Sequence, residues 1–198
     1  MAERDSQRKK LYTAERVALE PLAIPLLTTD DVKAYLVKQL SRATLQRRYG
    51  NVVDLKEWGL TVADGRGTRR ALAYGTYKIS LPLWARTDWV ALHEVAHVIH
   101  DRLSSTRARR GDRNWELRGG AAHGWQYAAI YLDLVRYIKG KEAGDALKAA
   151  FKAHKVRFRP KQKRAVSVTP EVLAARLEKA RTAKVAKKIQ NEVVNVYG

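Results

Sequence analysis

Between Trp89 and His100 the chain reads WVALHEVAHVIH, which sets histidines at 93, 97 and 100 and a glutamate at 94. On an α-helix, positions i and i+4 share one face about 6 Å apart, so His93 and His97 can meet one tetrahedral ion at about 2.0 to 2.1 Å. Glu94 then projects beside the ion, where its carboxylate can take a proton from a zinc-bound water and pass it to a leaving group. Zinc lowers the pKa of that water from about 15.7 towards about 7, which makes hydroxide available at neutral pH. His100 stands seven positions beyond His93, about 10.5 Å along the axis, a turn too far to share the same ion. Shuffling this composition produces H-E-x-x-H about one time in a hundred. The helix is otherwise apolar, with Val90, Leu92, Val95, Ala96, Val98 and Ile99, and a buried His-Glu-His cluster without a metal would leave costly polar groups in a core.

A catalytic zinc needs a third protein ligand and an open fourth position. Cysteine is absent, which excludes disulfides, thiolate ligands and a cysteine nucleophile together. His123 is the favoured third ligand because the loop before it can turn the chain back across the first helix. Glu116 is the carboxylate alternative. The longer pattern HExxHxxGxxH fails because His100 stands where its glycine belongs, and the only methionine is Met1.

These residues need a scaffold. Helical spacing of apolar residues runs from about Ser6 to Leu19 and from Thr29 to Leu45, the second with Thr28, Thr29 and Asp30 as capping candidates. Alternation then marks strands at Val53 and Leu55, at Leu60 and Val62, and at Tyr77, Ile79 and Leu81, with Asp64-Gly65 and Gly75 as turns. A small, mainly antiparallel sheet is expected. Thr87 can cap the histidine helix, with Asp88 in its first turn at the positive end of the dipole. An arginine-rich loop follows from Ser104 to Gly120. His123 opens a second apolar helix ending at Gly140, and Glu142 to Lys155 forms an amphipathic one. The fold class is α+β.

Charge divides the chain. Lys and Arg outnumber Asp and Glu by 39 to 20, a net +19. From Lys152 onward there are thirteen Lys and Arg against three Glu, so +10 of that charge lies in the last 47 residues. The expected domains are residues 1–160 and a basic helical extension, 161–198, with Thr169 and Pro170 starting a Lys-rich helix. Arg157, Arg159, Lys161, Lys163, Arg164, Lys184, Lys187 and Lys188 are the candidate nucleic-acid contacts, through a phosphate term that weakens with salt. No run of about 18 apolar residues is present, as a membrane span requires, and the N-terminus has no apolar signal core. A cytoplasmic protein without a membrane partner is expected.

The blocks RDSQRKKLYTAE, WARTDWVALHEVAHVIHDR, AAHGWQYAAIYLDLV and AFKAHKVRFR together resemble a family of predicted HExxH metallohydrolases encoded by actinobacteria and their phages. The likeness spans about residues 4 to 160. The arrangement is similar, more distantly, to SprT-like zincin metallopeptidases, in which a later His-Gly helix supplies the third histidine. The resemblance implies a minimal zincin-like domain with one zinc on His93, His97 and His123, and Glu94 as the catalytic base. Trp125, Gln126 and Tyr127 depart from the Pro-Glu-Phe expected after His-Gly. A metallopeptidase acting on protein or peptide is the leading expectation, with the strand Thr76 to Leu81 as a place for a substrate strand to add. Tyr74, Tyr77 and Tyr127 are oxyanion candidates. Two other classes stay open: a nucleic-acid-binding protein on a zincin-like fold, and a phage virion or assembly component meeting phage structural proteins.

Overall fold

Helix α1, Arg8–Leu19, turns Leu11, Ala14, Glu15 and Leu19 inward, one face of a 3.6-residue period with a carboxylate in an otherwise apolar stripe. The computed structural model describes residues 5–54, 58–105, 117, 119–160, 177–179 and 181–182. Helix α2, Thr29–Leu40, begins with a capping box in which Thr28 and Asp31 satisfy each other's backbone N–H. The single helix expected over Thr29 to Leu45 is two: α2 stops at Leu40 and α3 runs Ala43–Tyr49. The break is built from polar side chains. Ser41 turns its hydroxyl back onto Lys38 O, Gln46 caps Leu40 O, and extended Arg42 donates to Tyr137 O at 2.8 Å.

The sheet contains β1 (Thr61–Asp64), β2 (Leu72–Tyr74) and β3 (Lys78–Leu81) in the order β1-β3-β2. It is mixed, which corrects the mainly antiparallel expectation: β1 and β3 are parallel, and only β2 with β3 is antiparallel. The β2 excursion itself forms the crossover between the parallel pair. Gly65 is required where β1 exits, since a Cβ there would lie 2.6 Å from Pro82 N. Val53, expected in a strand, is buried in the 3₁₀ turn Gly50–Val53 instead.

Helices α4 (Asp88–Ser104), α5 (Trp125–Ile138) and α6 (Lys141–Ala153) complete the described core. They stack in sequence, α4 on α5, α5 on α6 and α6 on α1, while β2 and β3 cover the other side of α4. Thr87 occupies the N-cap position of α4 but makes no capping bond. Asp88 does the anchoring: its carboxylate accepts from Ile24 N and Trp89 N and pairs with Lys139. At the other end Arg102, 1% exposed, donates to the carbonyls of Val52, Gly59 and Thr76. One helix is thereby pinned to α5 at its start and to the sheet and its approach at its end.

The chain divides into two units, Met1–Pro160 and Lys161–Gly198. Of the second, residues 177–179 and 181–182 are described, and they are helical. Among the described residues no helix is long and apolar enough to cross a membrane.

Candidate metal centre

His93 and His97 share the face of α4 that looks towards α1 and the turn before α5. His123 sits in that turn, two residues ahead of the helix it was expected to open, and Gly124 takes the cap position. The three imidazoles come together with ring centres 5.1, 5.5 and 4.7 Å apart. One nitrogen from each lies within 4.8 Å of the other two. Nitrogens at about 2.0 to 2.1 Å from one tetrahedral ion are about 3.4 Å apart, so side-chain shifts on the order of an ångström close the set.

Two of the rings are oriented from behind. His93 Nδ1 lies 2.8 Å from Glu15 Oε2, and His123 Nδ1 lies 2.7 Å from Asp5 Oδ2. A carboxylate accepts, so each Nδ1 donates and each Nε2 keeps its lone pair for an ion, the usual backing of a metal-bound histidine. His123 Nε2 is buried with no hydrogen-bond partner among the described residues. A buried imidazole nitrogen left open in this way is costly unless something occupies its lone pair, and the donor set therefore fits zinc. Gln7 fixes the turn further by donating to His123 O at 2.7 Å and exchanging hydrogen bonds with the Arg157 backbone.

The electrostatics follow burial and these partners. Burial alone would lower the pKa of His93, but the Glu15 carboxylate and, less, Glu94 together outweigh it and raise the value above the ordinary one. Burial holds His97 well below its ordinary value, assisted by His93 and His123. His123 is pushed down to about 4, chiefly by burial, because Asp5 offsets only part of the loss. The two carboxylates differ in access to water: Glu15 is 6% exposed and Asp5 28%, and water screens the second more. Glu94 is raised by burial, while His93 and a backbone hydrogen bond from Ala73 of β2 pull the other way.

Tyr127 stacks on His97 at 4.1 Å between ring centres and donates its hydroxyl to His93 O. Its oxygen is therefore committed to the helix backbone. Tyr74 and Tyr77 are exposed and do not line the cleft; the tyrosine that does is Tyr12, whose ring lies against His93 and His123. The cleft above the histidines has a volume of about 560 Å³ and is walled by α1, by the segment leading into β2, and by α4.

Several sequence expectations are relocated. The strand Thr76 to Leu81 is interior to the sheet as β3, so the free edge along the cleft belongs to β2. His100 Nε2–H donates to Gly119 O at 2.7 Å. Gln126 packs over Gly120 rather than into the cleft, since a Cβ on Gly120 would meet its amide at 2.7 Å. Arg157 and Arg159 are exposed. Lys161, Lys163, Arg164, Lys184, Lys187 and Lys188, and the alternative ligand Glu116, lie outside the described residues.

Asp5, Gln7, Tyr12 and Glu15 are site residues that the motif does not contain. For Glu15 a signal existed, because it falls on the buried stripe of α1, where an unpaired carboxylate has no reason to be. No protein-family model, curated protein or solved structure matches the chain.

Proposed function

We propose that this protein is a zinc-dependent hydrolase, and within that class a metallopeptidase. The observation that carries the reading is the convergence of His93, His97 and His123 on one point, two of them backed by carboxylates and one with an open buried nitrogen. The position of that point at the floor of an open cleft favours catalysis over a purely structural metal, which would be closed off by a fourth protein ligand.

A zinc ion, when bound, supplies Lewis acidity and brings the pKa of a water towards about 7. The imidazoles of His93, His97 and His123 would hold it, and Glu15 and Asp5 keep two of those rings in the tautomer that leaves Nε2 free. Glu94, next to the ligands on α4 and steadied by Ala73, takes the proton of the attacking water and returns it to the leaving nitrogen.

Metal analysis should find about one zinc per chain. Glu94→Gln should keep that zinc while hydrolysis of a peptide library falls at least about a hundredfold. Protein that takes up no added zinc, or a Glu94→Gln variant as active as the wild type, would end this reading.

A further inference from the structure

The rim of the cleft is more basic than its floor. Arg8 and Arg16 stand on α1, and Arg69 and Arg70 on the segment entering β2. All four are exposed, and none forms an ion pair with a described residue. The acids of the same cleft are differently placed. Asp5 and Glu15 are spent on imidazoles, and Glu94 is buried beside the ligands, which leaves Asp101, among the described lining residues, as the exposed carboxylate at the edge. A ligand entering from solvent meets guanidinium groups first.

Two classes of polyanion would answer such a rim. Their repeats separate them. β2 is an edge strand, and Ala71, Leu72 and Ala73 line the cleft. Beyond the Ala73 N–H that Glu94 already holds, an edge strand offers N–H and C=O groups to a partner whose amides recur every 3.3 Å or so, which is a polypeptide and not a phosphodiester chain. Arg69 and Arg70 immediately precede that edge. Arg8 and Arg16 lie two turns apart on the facing helix, about 12 Å along its axis, the span of roughly four extended residues. Trp84, 63% exposed on the cleft wall, would suit either ligand and does not discriminate.

We infer that the cleft selects an acidic polypeptide segment, seated along β2 with its carboxylates against Arg8, Arg16, Arg69 and Arg70. The inference rests on the metallopeptidase reading of the same site and adds the substrate class to it. Guanidinium groups in pairs at both sides give bidentate contacts to carboxylates, and the strong net positive charge of the chain speeds the encounter with an acidic partner.

The test is binding to full-length, zinc-loaded Glu94→Gln protein, read by fluorescence anisotropy. The probes are a labelled ten-residue peptide containing four Glu, the same peptide with Gln in their place, and an oligothymidylate of equal net charge. The Glu peptide should bind about tenfold tighter than the Gln peptide, a sum of several modest exposed pairs. Arg69→Ala with Arg70→Ala, and separately Arg8→Ala with Arg16→Ala, should each remove most of that preference while zinc content stays at the wild-type value. Equal affinity for the two peptides overturns the inference. So does a preference that survives both double substitutions, which would assign the anion to the basic C-terminal segment. Tighter binding of the oligothymidylate, lost with the same arginines, overturns it in favour of nucleic acid. Arginine-dependent binding of the Glu peptide by wild-type protein that cuts no peptide would sink the peptidase reading and leave the acidic-segment site standing.

Discussion

The first three turns of α4 and its last two carry similar residues, histidine and charge set among valine, alanine, leucine and isoleucine, and they are used in opposite ways. Near the C-terminal end the buried polar side chains reach backbone carbonyls of the protein itself. His100 donates to Gly119 O, and Arg102 spreads its guanidinium over three backbone carbonyls. Near the N-terminal end His93, and His123 facing it from the turn before α5, are each backed on one side by a carboxylate, Glu15 and Asp5, and one nitrogen of each converges with one of His97. A polar residue in a buried helix thus signals architecture when its partners are complete, and a ligand site when they are half complete.

The sharpest way to break that contrast is to exchange the consequences of losing a histidine. His123→Ala removes a converging nitrogen and should reduce zinc from about one per chain to none in a chelator competition. His100→Ala should keep the metal. Zinc lost with His100 and retained without His123 would reverse the assignment of the two ends.

Arg102 sets the next largest effect, on stability. Burial lowers its pKa to about 10, still high enough to keep it charged at neutral pH. Arg102→Met leaves the carbonyls of Val52, Gly59 and Thr76 without their donor, and each such group costs about 1 to 3 kcal/mol when buried. Denaturant unfolding should therefore show a loss of about 3 kcal/mol or more, with the zinc content of the folded fraction unchanged. A midpoint equal to that of the wild type would mean that water replaces the guanidinium, and that this end of the helix is less complete than the contacts indicate.

What could be read from the sequence follows how local each feature is. His93, Glu94 and His97 fall on one face because five consecutive residues of any α-helix obey the same geometry. His123 was legible as the histidine expected to open the next apolar helix, though that helix begins two residues later, after the cap at Gly124. The mixed sheet was not legible: β2 is three residues, LAY, too short to show a period, and its place beside β3 is set by long-range pairing. The break after Leu40 also escaped, because neither proline nor glycine marks it and its cause lies in the contact of Arg42 with Tyr137. Asp5 and Gln7 acquire their roles only when the N-terminal segment meets the turn at His123 across more than a hundred residues.

Glu15 and Asp5 allow the half-complete end to be graded. Glu15→Gln keeps an acceptor for His93 Nδ1 and removes the charge that supports the ring's basicity, so zinc affinity should fall by about 10- to 100-fold. Asp5→Asn should cost less, because the Asp5 side chain is 28% exposed against 6% for Glu15 and water already screens it. Competition titration with a fluorescent zinc chelator measures both. A larger loss with Asp5→Asn would show that holding the turn at His123 matters more than the charge behind His93.

The smallest effect belongs to His100 and concerns pH. Burial lowers its pKa below the ordinary 6.5, and the bond to Gly119 O only partly restores it. The unfolded chain then takes up the proton first, so the stability contributed by this residue is complete above about pH 6.5 and is lost as pH falls towards its folded value. His100→Gln keeps an N–H to donate to Gly119 O and has no proton to gain. In zinc-loaded protein, where metal release contributes equally to both forms, the wild type should lose stability between about pH 6.5 and 5 more steeply than the variant, by at most about 1.4 kcal/mol per pH unit for one proton. At pH 7.5 the two should melt within a few degrees of each other. Parallel pH profiles would mean that His100 titrates alike in the folded and unfolded chain, and that the C-terminal end of α4 admits enough water to keep its imidazole in an ordinary environment.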